Sequence, residues 1–230
     1  MQWSVNTPID LRRCKIELKD SKMLNKKIIG FEVFAKEFSE KFGDVSSYEP
    51  FLKHFVSMLT PEAQIIDIAC GPGNVINFLY QCRNDLRIEC VDIAPAMIEL
   101  VQEKFPDITC HVCDVKDFKF KVNYYNGMIC SFGLPFLTGK ETELFFNNMS
   151  NGLKKNGVVY VSTMKGNSEG YEKTSFSSET EVYFVYHSKD FLDTVIKANG
   201  LKIIEYHEQL FPQEDAENLI DMIYILQKSN

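Results

Sequence analysis

The residue types best suited to chemistry gather at Ala69-Cys70-Gly71-Pro72-Gly73, between the apolar run Ile65-Ile66-Asp67-Ile68 and a helical stretch that opens at Asn74. Glycine permits a tight turn and lets backbone approach a ligand with no Cβ in the way. The helix start that follows offers free N–H groups. Ordinary strand-to-helix turns also use paired glycines, so the spacing of other groups has to decide. Nineteen residues past Gly73, at the end of the next β-rich run, stands Asp92, placed to accept both hydroxyl hydrogens of a ribose. The same residue suits a cap ahead of Pro95. Asp114 ends the following run, in Cys113-Asp114-Val115, where its carboxylate can accept from an adenine amino group while a nearby backbone N–H meets a ring nitrogen. A glycine turn with acids at the next two strand ends points to a bound nucleoside.

These groups need a scaffold of alternating strands and helices. β-Rich runs are predicted at Gln64 to Ala69, Arg87 to Val91, Thr109 to Cys113, Tyr125 to Ser131 and Gly157 to Thr163. Helical runs lie at Asn74 to Gln81, Pro95 to Lys104 and Lys140 to Lys154, with Pro95 in a first turn where its missing N–H costs nothing. Such alternation makes βαβ units and a parallel sheet. Ahead of it, Phe31, Phe34, Ala35, Phe38 and Phe42 recur at helical spacing, and a second helix runs through Phe51, Phe55, Val56 and Leu59. Behind it, 181–187 alternates like a strand, Ser188 caps a helix that stops at Asn199-Gly200, and two strands follow near Leu201 to Tyr206 and Asp221 to Gln227. We expect an extension over 1–28 and one domain over 29–230, with a lid-like polar insertion at about 165–187.

From Gln64 to Thr163 the chain resembles the cofactor-binding core of the class I S-adenosylmethionine-dependent methyltransferases. The family's pattern of an acid, a small residue and GxG is met by Asp67, Ala69, Gly71 and Gly73, with Ala69 where glycine is commoner. The resemblance implies a doubly wound α/β fold: a mostly parallel seven-stranded sheet with helices on both faces, an antiparallel final strand and N-terminal helices. It implies S-adenosylmethionine as cofactor, lying along the turn formed by Ala69, Cys70, Gly71, Pro72 and Gly73. By the same resemblance Asp92 holds the ribose, Ile93 and Met97 flank the adenine, and Asp114 with Val115 reads the adenine edge. Ser131 contacts the methionine amino group through its backbone, and Phe132 walls the pocket. Asn126 stands where the family usually has an acid at the start of the fourth strand, which weakens that strand's claim to a catalytic base. His187, beside Tyr183 and Tyr186 after the polar insertion, is the expected base if one exists.

Composition narrows the acceptor. A net charge of −7, with no sustained basic run, disfavours nucleic acid, whose binding needs phosphates neutralised. No Asn-Pro-Pro-Tyr or Asp-Pro-Pro-Tyr segment follows the fourth strand, as the resemblance would require of an enzyme acting on DNA base amino groups. A small-molecule acceptor is therefore expected. No apolar run is long enough to span a bilayer and no leader pattern opens the chain, so a cytoplasmic protein is expected. The seven cysteines read as reduced and structural; Cys110 and Cys113 lack a second ligand pair, so no metal is expected. Two rival readings share the glycine turn. A nicotinamide-dependent oxidoreductase would want glycine or alanine where Ile76 stands and leaves Asp114 unexplained. A non-catalytic nucleoside binder on the same fold would keep the turn and the acids without turnover.

Overall fold

The computed structural model describes residues 30–174, 177–212 and 219–229, with side chains over 174–180 left aside. The expected extension over 1–28 lies outside the described residues. Two helices, α1 (Ala35–Lys41) and α2 (Glu49–Ser57), precede the sheet. The chain then alternates through β1 (Gln64–Ile68), α3 (Asn74–Cys82), β2 (Arg87–Asp92), α4 (Pro95–Lys104), β3 (Thr109–Val112), β4 (Tyr125–Ser131), α5 (Gly139–Gly152) and β5 (Leu153–Met164). A hairpin of β6 (Glu169–Thr174) and β7 (Ser177–Val185) leads to α6 (Lys189–Ala198), β8 (Leu201–Leu210) and β9 (Ile220–Lys228).

Seven strands form one sheet in the order β3-β2-β1-β4-β5-β9-β8, and the β6–β7 hairpin stands apart as its own two-stranded sheet. β1 pairs in parallel with β2 and β4, and β4 with β5, whereas β9 runs antiparallel to both neighbours. The expected architecture, including the reversed final strand, is the one observed. Side chains alternate across the sheet, which sorts the core into two layers. On one face Ile65, Cys90, Ile129, Tyr160 and Ile225 pack against Phe55 of α2, Ile76 and Leu79 of α3 and Val101 of α4. On the other, Ile66, Met128, Val159 and Tyr224 pack against Phe146 and Met149 of α5 and Leu192 and Ile196 of α6.

Local chemistry sets several boundaries. Thr138 and Glu141 form a reciprocal capping box at the start of α5, and Ser188 Oγ accepts from Phe191 N–H at the start of α6. The structure differs from expectation after α5. β5 begins at Leu153, opposite Tyr125, where the sequence suggests a strand only from Gly157. The register shifts between Tyr125 and Gly127, so an irregular segment with Asn156 at φ 61° is absorbed into the ladder. β8 also outlasts its expected end at Tyr206, because pairing with β9 continues to Leu210 opposite Ile220. The insertion over 165–187 is mostly this ordered hairpin, with Tyr171 and Tyr183 packed edge-on at 5.1 Å between ring centres.

Candidate active site

The carboxyl ends of β1, β2 and β4 meet around the glycine turn. Ala69, Gly71 and Gly73 hold φ of 54°, 52° and 81°, all left-handed. For Ala69 that conformation costs about 1–2 kcal/mol, which glycine would avoid. Gly73 is required twice over: a Cβ there would lie 3.1 Å from Val101 Cγ2 of α4. Asp92 fixes the turn from the neighbouring strand. Its Oδ2 accepts from Gly71 N–H at 2.9 Å and its Oδ1 from Ala94 N–H at 2.9 Å. The carboxylate therefore shapes the loop and the start of α4, and each oxygen keeps a lone pair for another donor. Burial raises its pKa.

Asp67 sits one strand over, 1% exposed, and its Oδ2 has no hydrogen-bond partner. Burial, with Asp92 nearby, pushes its pKa up to about 8. A buried carboxylate oxygen left unpaired is costly, and a donor or cation brought to it is correspondingly favoured. Burial also pushes the Cys70 thiol up to about 12, so Cys70 packs rather than reacts. Met97 is buried against Ala35, Phe31 and Phe38, which lay the N-terminal helical segment beside α4. Glu32 adds a bond there, accepting from Ala96 N–H at 3.0 Å. Asp114 is buried with Oδ1 on Lys116 N–H at 3.0 Å and Oδ2 3.3 Å from Lys116 Nζ, which also reaches Glu141. Val115 packs against the α5–α6 layer and Ile93 is half-buried.

Beyond β4 the walls are aromatic. Phe132 holds a left-handed φ of 56°, its N–H donating to Ser162 O at 2.8 Å, and Ser131 Oγ meets Ser162 Oγ at 3.0 Å. Phe132 contacts Tyr48 edge-on at 5.6 Å and Phe211 at 6.3 Å. Phe211 continues to Phe42 and Phe38, and Phe38 to Phe31, which meets Phe136 at 5.4 Å; Phe136 in turn meets Phe184 of the hairpin. The Tyr48 hydroxyl donates to Asp221 Oδ2 at 2.6 Å. Burial raises the Asp221 pKa to about 6.

Residues 65–157 match a family model described as a methyltransferase domain. The match covers less than half of the chain, and that part is similar to a methyltransferase domain. The same fold is found in an S-adenosylmethionine-dependent methyltransferase of Clostridium acetobutylicum, with a TM-score of 0.66 at 14% identity over 87% of this chain and 100% of that one. Among curated proteins, a putative methyltransferase of Invertebrate iridescent virus 6 is 25% identical over 111 residues, 47% of this chain and 41% of that protein. The carboxy-S-adenosyl-L-methionine synthase of Campylobacter fetus is 25% identical over 108 residues, 45% of each chain. The chain thus matches less than half the length of these relatives. Among solved structures, the 1,6-didemethyltoxoflavin-N1-methyltransferase of Burkholderia thailandensis, with its substrate and S-adenosylhomocysteine bound, superposes with a TM-score of 0.66 at 14% identity. The alignment covers 98% of this chain and 94% of that one.

The fold gathers Asp67, Ala69, Cys70, Gly71, Pro72, Gly73 and Asp92 at one turn, with Ser131 and Phe132 at the end of the adjacent strand. Expectation fails at His187. Its ring is 4% exposed and stacks on Phe191, and Nε2 lies 3.1 Å from Leu137 O, 3.3 Å from Leu134 O and 3.2 Å from Thr142 Oγ1. Two carbonyls can only accept, so Nε2 carries a proton and ties the 134–137 turn to α5, while burial lowers the ring's pKa. His187 is a packing residue in this structure, not a base facing an acceptor. Asn126, noted for replacing an acid, lies at the far end of β4, where its Oδ1 accepts from Gln64 N–H and Lys154 Nζ, each at 3.0 Å. The sequence reading did not single out Asp221, whose only local signal is an acid near the start of a largely apolar strand.

Proposed function

We propose that this chain binds S-adenosylmethionine on the Gly71 turn and catalyses transfer of its methyl group to a small-molecule acceptor. The observation that carries the reading is the pair of carboxylates flanking that turn, Asp67 buried and Asp92 half-buried. Asp92 is held by two backbone N–H groups with lone pairs to spare, and Asp67 has an oxygen with no partner. Asp92 would take the ribose hydroxyls and Asp67 the cationic amino group, and the left-handed turn admits the ligand against bare backbone. Ile93 and Met97 would flank the adenine. Asp114 with Val115 would read its edge, with Lys116 sharing the Asp114 carboxylate. Ser131 and Phe132 would line the methionine end.

The cofactor supplies an electrophilic methyl on a sulfonium; an acceptor lone pair forms the new bond as the carbon–sulfur pair returns to sulfur. The protein's part is placement in a dry site, and the aromatic wall around Phe132 suits that task. No side chain is assigned as general base. The β6–β7 hairpin acts as a lid over the acceptor side, consistent with the contact of Phe184 with Phe136. The acidic balance favours a small acceptor over a nucleic acid. A cytoplasmic location belongs to the same reading; among the described residues no helix is long and apolar enough to cross a membrane.

Incubation with methyl-tritiated S-adenosylmethionine and a panel of small metabolites, transfer RNA and DNA tests the proposal. Label is expected in a small molecule alone. Label confined to nucleic acid would overturn the small-molecule acceptor, and transfer to nothing while the cofactor binds would overturn the catalytic reading in favour of a nucleoside binder.

A further inference from the structure

The carboxyl edge of the sheet carries a second group of unsatisfied polar atoms, away from the glycine turn. Asp221, the second residue of β9, lies opposite Met164, the last residue of β5, and alternation along β9 puts it on the same face as Ile223 and Ile225. That face also carries Asp67 on β1, Ser131 on β4, and Tyr160 and Ser162 on β5. Asp221 is 0% exposed; Tyr48 holds its Oδ2, while Oδ1 has no partner. Gln209 is its register partner on β8, and the Gln209 Nε2 is buried without an acceptor. The Tyr160 hydroxyl, on the same face, is also unpartnered.

A buried polar group left without a partner is costly, so each of these atoms favours a ligand group that satisfies it. A free acceptor on Asp221 and a free donor on Gln209 stand as cross-strand neighbours, with Cβ atoms about 5 Å apart. No basic side chain among the described residues pairs with Asp221. The ring of Tyr48, packed on Phe132, and the ring of Phe211 give the place flat aromatic sides. Two strand spacings, about 10 Å, separate β4, which ends beside the glycine turn, from β9. A molecule of one or two fused rings spans that distance with one end over Ser131 and the other on Asp221.

Resting on the methyltransferase reading above, we propose that Asp221 and Gln209 form the acceptor-anchoring edge of the active site. The acceptor is then a flat nitrogen heterocycle that presents a ring N–H beside a hydrogen-bond acceptor. The N–H donates to Asp221 Oδ1 and the neighbouring carbonyl or ring nitrogen accepts from Gln209 Nε2. Asp221 is a specificity residue here; the methylated atom lies at the other end of the ring.

The test uses the full chain loaded with S-adenosylhomocysteine and three lactam probes, 2-quinolone, lumazine and hypoxanthine, each beside its counterpart N-methylated at the lactam nitrogen. Affinities are read by calorimetry. At least one parent ring is expected to bind at least tenfold more tightly than its N-methyl counterpart, and Asp221→Leu is expected to remove that preference while S-adenosylhomocysteine affinity stays within twofold. Gln209→Met serves as a second variant should Asp221→Leu fold poorly, with a tenfold loss of the parent ring expected. Equal binding of parent and N-methyl rings, no binding of any parent ring to loaded protein, or full retention in the variants would overturn the proposal. Failure of the wild type to bind S-adenosylhomocysteine would instead bring down the methyltransferase reading, and this anchor with it.

Discussion

The two halves of the carboxyl edge are built by different rules. On the β1–β2 side, the groups that meet are close in sequence: Gly71 N–H and Asp92 are 21 residues apart, and Asp92 caps Ala94 two residues on. On the β5–β9 side, the central pair is Tyr48 and Asp221, 173 residues apart, brought together by α2 and the last strand. The first half is a turn with its own local chemistry; the second exists only once the sheet is complete. A cofactor shared by many proteins can be met by the first kind of site, whereas acceptor choice is free to reside in the second.

Separating the halves by mutation should sharpen this contrast. The largest effect is expected at Asp92→Ala, which removes the acceptor for two backbone N–H groups as well as the proposed ribose partner. S-adenosylhomocysteine affinity should fall at least a hundredfold, about 2.7 kcal/mol, in a titration of variant against wild type. An effect under threefold would show that the turn holds without its acid.

Asp67→Asn comes next. The raised pKa of Asp67, from 3.8 to about 8, means that the native state keeps a proton that the unfolded state has lost. Native stability should therefore fall as pH rises from about 4 to 8, at up to about 1.4 kcal/mol per pH unit. Asp221, raised to about 6, adds to the first half of that window. Thermal melts across this range should show Asp67→Asn losing less stability than wild type as pH rises. Parallel curves would mean that Asp67 is charged and paired at all these values.

Tyr48→Phe leaves Asp221 Oδ2 without its donor and should cost about 1–3 kcal/mol of stability while changing S-adenosylhomocysteine affinity by less than twofold. A tenfold loss of cofactor affinity would show that the halves are coupled. The smallest effect belongs to Ala69→Gly, which relieves a left-handed alanine but gives the unfolded chain more freedom. A net gain of about 1 kcal/mol or less in denaturant melts is expected.

The same distinction explains what could be read from the chain alone. The succession of strands and helices follows from β-rich and helical runs whose periods are local, and the glycine turn from residue types that only unusual backbone angles require. Ala69 is informative in retrospect, since its φ of 54° is the angle at which glycine is the cheaper residue. His187 misled because a polar ring among tyrosines looks accessible in sequence, while in the fold the 134–137 turn covers it. Asp221 was not legible in the sequence because its neighbours, Tyr48 and the register partner Gln209, come from elements that no local pattern links to it. The extent of β8 was missed for a related reason: pairing with β9, not its own composition, carries it to Leu210.

The central claim is that the turn at Gly71 is a nucleoside site with a protonated acid waiting beneath it. Calorimetric titration of the full chain with S-adenosylmethionine at pH 7, in two buffers of different ionisation heat, tests it most directly. The account predicts micromolar binding with net proton release, as the ligand's ammonium draws Asp67 into its charged form, and no binding of NADH. Binding of NADH alone, or binding of S-adenosylmethionine with the same heat in both buffers, would contradict it.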